Sequence, residues 1–252
     1  MTSNTPKPNW VKREFQLFST LVRSAPKLLI VLFSFVVIAM NFLSSFTVVN
    51  TPYLALTAGV FVSWAAFMIM DVTNKRFGPK AANRLSWIAL GANLVAVGIF
   101  FLISQIGTVP QLDMILHGQW SILLASSIAF IVSCLANNFF NYIIGRSFKK
   151  NPDGRVAFFT RTYISTFVGQ FIDNFVFGSL AFIVFPLIPG ALPVTWTWPQ
   201  AAICALTCAL IELALEIVFS PIGYRIAKRW KEKGIGQEYV DTYYPSEGQS
   251  KA

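Results

Sequence analysis

The apolar residues of this chain are gathered into six blocks of roughly 20, a length that crosses the roughly 30 Å hydrocarbon core of a bilayer when wound into a helix. The blocks occupy 28–49, 53–70, 86–106, 121–144, 163–187 and 199–222. Within them apolar side chains fall on every side of a helix, whereas a helix packed in a soluble domain keeps a polar face toward water. The 252 residues are 55% hydrophobic and only 12% charged, so the solvent for these blocks is lipid. The expected fold is all-α, a polytopic bundle of six transmembrane helices. Its transmembrane domain covers 28–228, preceded by a cytoplasmic segment 1–27 and followed by a cytoplasmic polar tail 229–252.

Direction follows from charge. The 20 basic residues lie before the first block (Lys7, Lys12, Arg13, Arg23, Lys27), between the second and third (Lys75, Arg76, Lys80, Arg84), between the fourth and fifth (Arg146, Lys149, Lys150, Arg155, Arg161) and after the sixth (Arg225, Lys228, Arg229, Lys231, Lys233, Lys251). The three alternate loops carry none, which places both termini in the cytoplasm of an inner-membrane protein. The long polar leader ahead of the first block lacks a small-residue cleavage site, so no cleaved signal peptide is expected. Tyr53, Trp87, Trp120, Trp196 and Trp198 border the blocks, where amphipathic rings favour the headgroup layer. The stretch 186–199, with four prolines and Gly190, reads as a rigid cap. His117 reads as a surface residue of the loop 107–120, and the tail beyond Gly234 as poorly ordered.

The net charge of +9 is dispersed over short loops and forms no continuous patch, which argues against nucleic-acid binding. Cys134, Cys204 and Cys208 sit in apolar blocks with no CxxC spacing or histidine cluster, so no metal or other cofactor is expected. Cys204 and Cys208 share a helix face at a spacing awkward for a disulfide.

Acids inside spans are costly and usually face a cavity or a partner. Four occur here, Asp71, Asp173, Glu212 and Glu216. Gln170, Asp173 and Asn174 share one face of the fifth helix, Glu212 and Glu216 one face of the sixth, and Asn137, Asn138 and Asn141 one face of the fourth. Converging stripes of carboxylate and amide would offer hydrogen-bonding groups at fixed angles in a midplane cavity, with aromatic rings to stack on a flat ligand. A polar heterocycle rich in N–H groups fits that chemistry. The competing reading is that membrane amides hydrogen-bond across helices, which is favoured for Asn41 and Asn93. Asp71 and Lys75, four apart, can form a local ion pair. The motifs HExxH and GxSxG and a Walker lysine loop are all missing, so the chain does not read as an enzyme.

Two stretches resemble a known family. In 67–84 an acid near the end of the second span (Asp71) is followed by Lys75 and Arg76, the aromatic–glycine pair Phe77-Gly78 and an alanine-rich basic turn ending at Arg84. In 165–182 Gln170 and Asp173 precede Asn174-Phe175-Val176-Phe177, and Glu216 precedes Pro221. These features are similar to those of the queuosine precursor transporters, also called the vitamin uptake transporter family. The resemblance implies uptake of a 7-deazaguanine (preQ0, preQ1 or queuine) and a bundle resembling the substrate-binding components of energy-coupling-factor transporters. Cys134, Asn137 and Glu212 depart from the family pattern, which implies an altered site and room for a different substrate.

The expected substrate contacts are Asn137, Asn141, Gln170, Asp173, Asn174, Glu212 and Glu216, with Asp71, Lys75, Arg76 and Gly78 organising the cytoplasmic side. The expected partners are a small heterocyclic substrate and the lipid bilayer, with a homodimer left open. Proton coupling through Glu212 or Glu216 is one energy source open to such a protein. Two alternatives remain at this point: the membrane component of an energy-coupling-factor transporter, and an intramembrane enzyme acting on lipid.

Overall fold

The computed structural model describes residues 10–107, 110–147 and 155–243. They form eight α-helices and one β-hairpin: α1 (Trp10–Ser24), α2 (Lys27–Leu43), β1 (Thr47–Asn50), β2 (Ala55–Thr57), α3 (Val60–Phe77), α4 (Pro79–Ser104), α5 (Pro110–Ser147), α6 (Arg155–Ser179), α7 (Trp198–Glu232) and α8 (Gln237–Tyr243). Among the described residues, four stretches are long and apolar enough to cross a membrane, Lys80–Ser104, Pro110–Ser133, Phe167–Leu187 and Trp198–Phe219. A fifth candidate is the pair α1–α2, which is bent by 103° between Ser24 and Lys27.

The first two apolar blocks are not helical throughout. Helix α2 ends at Leu43, and the β-branched run Thr47-Val48-Val49 is extended, as such side chains favour. It pairs antiparallel with Ala55–Thr57. The Thr51 hydroxyl closes the turn between the strands by accepting from the Leu54 N–H at 2.9 Å and donating to the Leu54 carbonyl at 3.0 Å. Gln200 pins this hairpin to α7. Its Nε2 donates to Asn50 Oδ1 and the Thr51 carbonyl, while its Oε1 accepts from the Thr197 N–H in a capping box.

Between α3 and α4 the chain reverses over a single residue, Gly78, whose φ of 87° excludes other side chains without strain. Pro79 then supplies the fixed φ suited to a first helical position. Helix α5 begins at Pro110 and so takes up most of the expected loop 107–120. His117 is therefore a helical residue packed beside the Phe101 ring at 5.2 Å. The last turns of the fifth block widen into a π-helix over Leu180–Val184. Pro186 has no N–H for the Phe182 carbonyl four residues back, and the Trp196 N–H donates there instead at 2.8 Å.

The core divides into two clusters. One, beneath the hairpin, joins Ala55, Ile122, Ala125, Ala181, Phe182, Leu192, Ala201 and Cys204. The many alanines let α5, α6 and α7 approach closely, as helices do in membranes. The other, at the opposite end, joins Leu17, Leu21, Phe77, Ala81, Leu85 and Tyr239. Tyr239 belongs to α8, so part of the polar stretch beyond Gly234 is folded against the bundle. The expectation of a poorly ordered tail is corrected over 237–243 because this short helix presents an aromatic face.

Candidate functional site

Between the two core clusters lies a cavity of about 350 Å³. Its walls come from α2 (Phe33, Asn41), α3 (Phe67, Asn74), α4 (Ser86, Trp87, Asn93), α5 (Ser126, Phe130, Ser133) and α6 (Gln170, Asp173). A second chamber of about 90 Å³ shares Met40, Asn41, Phe67, Ser126 and Asp173 with it and runs on to Asn174, Trp196, Cys204, Cys208 and Glu212. Asp173 stands on the wall common to both.

The polar residues expected on α6, and Glu212 of the pair expected on α7, line these chambers. Ser133 Oγ on α5 donates to Asp173 Oδ1 at 2.8 Å. One turn of α6 carries the next pair: Asn174 Nδ2 donates to the Gln170 carbonyl at 2.9 Å and to Glu212 Oε2 on α7 at 3.1 Å. Glu212 is 4% exposed. The described lining of both chambers contains two carboxylates and no lysine, arginine or histidine.

Three buried polar atoms on these walls have no protein partner: Asn93 Nδ2, Gln170 Oε1 and Trp196 Nε1. Leaving such an atom unpaired costs about 1–3 kcal/mol, and two of these side chains, Asn93 and Gln170, line the larger cavity. Asn93 thus departs from its expected cross-helix role. Asn41, also buried, lies on the shared wall.

Other expectations land elsewhere. Lys75 is exposed at the end of α3 and outside the cavity lining. Arg76 points to the far end of the chain, its Nε donating to the Ile235 carbonyl at 2.8 Å and its Nη2 to Gln237 Oε1 at 3.1 Å. Burial lowers the Arg76 pKa from its ordinary value, and the charge of Asp241 opposes that shift. Gly78 forms the turn next to it. The side chains of Asp71, Asn137, Asn138, Asn141 and Glu216, and that of Cys134, lie outside the described residues. Cys204 and Cys208 are free thiols with sulfurs 3.8 Å apart, in keeping with the spacing argument.

Several contributors went unseen in the sequence. Ser63, Ser126 and Ser133 gave no signal, because serine in a membrane helix commonly satisfies itself on the preceding turn, as Ser63 does on Val60. Trp87 and Trp196 were read only as interface anchors.

A family model for vitamin uptake transporters matches residues 57–226, well over half of the 252 residues. That span includes every described cavity residue named above except those of α2. Searches against curated proteins and against solved structures gave no match.

Proposed function

The chain belongs to the vitamin uptake transporter family, and from that premise we propose that it imports a planar, donor-rich heterocycle of the 7-deazaguanine type. It is a multi-pass membrane protein of a family of small-molecule transporters, not of enzymes. The observation that carries the substrate reading is the pairing of an unpartnered amide donor, Asn93 Nδ2, with an unpartnered amide acceptor, Gln170 Oε1, in the same cavity as Asp173. A heterocycle edge bearing adjacent acceptor and donor atoms would satisfy both. Asp173 would take a further N–H or a cationic arm, and Phe67, Trp87 and Phe130 would cover the ring faces. The volume of about 350 Å³ falls within the range of roughly 300–1,000 Å³ usual for small-molecule pockets.

In this reading the spans number six. Helix α2, with 17 residues, reaches about 26 Å at 1.5 Å per residue, close to the hydrocarbon thickness. In α3 the charged residues Asp71, Lys75 and Arg76 are confined to its C-terminal part, leaving the earlier turns apolar. Both termini lie on the basic, cytoplasmic side of an inner membrane. The substrate contacts are then Gln170, Asp173, Asn174 and Glu212, joined by Asn137 and Asn141 from α5 and Glu216 from α7, with Asp71 near the cytoplasmic mouth.

Uptake of radiolabelled preQ1 into cells lacking their own importer tests the proposal. Expression of this chain is expected to restore accumulation, and Asp173→Ala to abolish it. Unchanged uptake in Asp173→Ala would remove Asp173 from the site, and no uptake of any 7-deazaguanine would reject the substrate class. Full activity of the purified chain alone in vesicles would separate it from transporters that need partner ATPase subunits.

A further inference from the structure

Helix α1 carries two apolar faces, and the described residues bury one of them while leaving the other largely exposed. Leu17 and Leu21, each 2% exposed, and Ala25 pack into the cluster with Ala81 and Leu85 at the start of α4. The apolar stretch of α4 begins at Lys80, so α1 sits at the depth where that helix enters the lipid. Because α1 meets α2 at 103°, it runs across the end of the bundle, close to the plane of the membrane surface.

Its second face is Val11, Phe15 and Val22, spaced by four and seven residues and so aligned along one side of the helix. Phe15 is 73% exposed, Val11 53% and Val22 39%. The face continues into the exposed apolar side of α2, formed by Leu28, Val31, Leu32 and Phe35. That side of a membrane helix faces acyl chains, and the α1 stripe lies just ahead of it in the chain, across the bend. Lys12 lies about 100° round the helix from Val11 and Arg13 about 200°. Both are exposed, as is Lys27 just beyond the bend. The one acid of α1, Glu14, is turned to Arg84, whose Nη2 reaches its Oε2 at 2.6 Å. The solvent side of the helix thus presents Lys12 and Arg13, with Arg23 paired to Glu238 of α8.

We propose that α1 is an in-plane anchor whose outer face docks on a leaflet of anionic phospholipid, with Phe15 and Val22 among the acyl chains and Lys12 and Arg13 at the headgroups. An amphipathic helix with apolar and basic sides binds an anionic interface by both effects together. Through Glu14 and Arg84 the docked helix holds the start of α4, two residues ahead of Ser86 and Trp87 in the cavity wall. The inference rests on the membrane-spanning bundle and not on the identity of the substrate.

The test is the thermal stability of the detergent-purified, full-length protein titrated with phosphatidylglycerol or phosphatidylcholine. Phosphatidylglycerol is expected to raise the melting temperature at lower concentration than phosphatidylcholine. Each basic residue near an anionic surface contributes about fivefold in partitioning. Lys12→Gln/Arg13→Gln, two exposed positions, should therefore raise the phosphatidylglycerol concentration at half-effect about 25-fold and leave the phosphatidylcholine response alone. Equal responses to the two lipids, or an unaltered response in the double variant, would overturn the proposal. A spin label at Phe15→Cys in phosphatidylglycerol vesicles should be relaxed by oxygen more than by a water-soluble nickel chelate. The reverse order, or a dimer of the wild type that dissociates on Phe15→Ser, would show that water or a second copy covers the stripe instead.

Discussion

Replacing Gln170 by methionine should push stability and binding in opposite directions. Gln170 is 6% exposed and its Oε1 has no partner, while the hydrogen bond at this position, from Asn174 Nδ2, goes to the main-chain carbonyl and survives substitution. Methionine matches the length of glutamine and carries no amide. The variant therefore relieves a desolvated acceptor worth about 1–3 kcal/mol, less a fraction for imperfect packing. At about 2–4 °C per kcal/mol for a chain of this size, the ligand-free melting temperature should rise by a few degrees. The same deletion removes a hydrogen bond from the bound state, weakening the Kd for preQ1 by about 5–150-fold, the equivalent of about 1–3 kcal/mol. Scanning fluorimetry of the purified variant gives the first quantity, and the preQ1 dependence of the melting temperature gives the second. A residue retained for packing alone would lose stability and keep its affinity. That pair of results would refute the assignment of Gln170 to the site.

Asp173→Asn keeps an acceptor for Ser133 but removes the charge, so uptake of a cationic preQ1 should fall at least about tenfold, equivalent to about 1.4 kcal/mol, and that of a neutral preQ0 should fall less. Competition between the two labelled compounds in vesicles measures the ratio, and equal losses would argue against charge recognition. Gly78→Ala forces a side chain onto a φ of 87° and should cost about 1–3 kcal/mol, read as a lower melting temperature. Arg84→Met removes the hydrogen bond from Arg84 Nη1 to the Tyr239 hydroxyl at 2.6 Å and the ion pair with Glu14. It should cost about 1–3 kcal/mol and release α8, seen as faster C-terminal clipping by a protease at a rate that leaves the wild type intact. Treatment with a reductant should leave both melting temperature and uptake unchanged, since Cys204 and Cys208 are free thiols. A shift would reveal a disulfide.

The parts of this fold legible in the sequence are those governed by spacing along one helix. Gln170 and Asn174, four apart, and Glu212 with Cys208 follow from the helical repeat alone, and so does the mutual position of Cys204 and Cys208. Pairing between helices is set by tertiary packing, so nothing at Ser133 pointed to Asp173 forty residues later, nor at Asn174 to Glu212. The hairpin was hidden for a different reason: Val48, Val49, Ala55 and Leu56 are as apolar as a span, and hydropathy does not separate a short buried strand from a helix end. Helix α8 was hidden by its polar composition, although Tyr239, Val240 and Tyr243 at helical spacing were its signal. Tyr239 is fully buried and Tyr243 stacks beside it at 5.9 Å.

The interior hydrogen bonds also say how a ligand could be felt by the whole bundle. Ser133–Asp173 joins α5 to α6 and Asn174–Glu212 joins α6 to α7, so these three helices are tied at the level of the cavity. On the other side, the α3–α4 turn is bound to α8 by Arg76 and Arg84, and Arg84 links it to α1. The groups meet where Trp64 of α3 stacks on Phe219 of α7 at 4.7 Å. Asn93 of α4 and Gln170 of α6, each with an unpartnered amide atom, line the same cavity. A ligand touching both would add a polar link between α4 and α6, and binding should draw α4 toward α6, as when one bundle rocks against another around a midplane site. Spin labels at Leu94→Cys and Ile164→Cys, both exposed, report the separation of these helices by pulsed dipolar spectroscopy. The distance distribution should shorten and narrow with preQ1 in the wild-type background and stay put in Gln170→Met. An identical change in that variant would mean that the ligand closes the cavity without bridging these two amides.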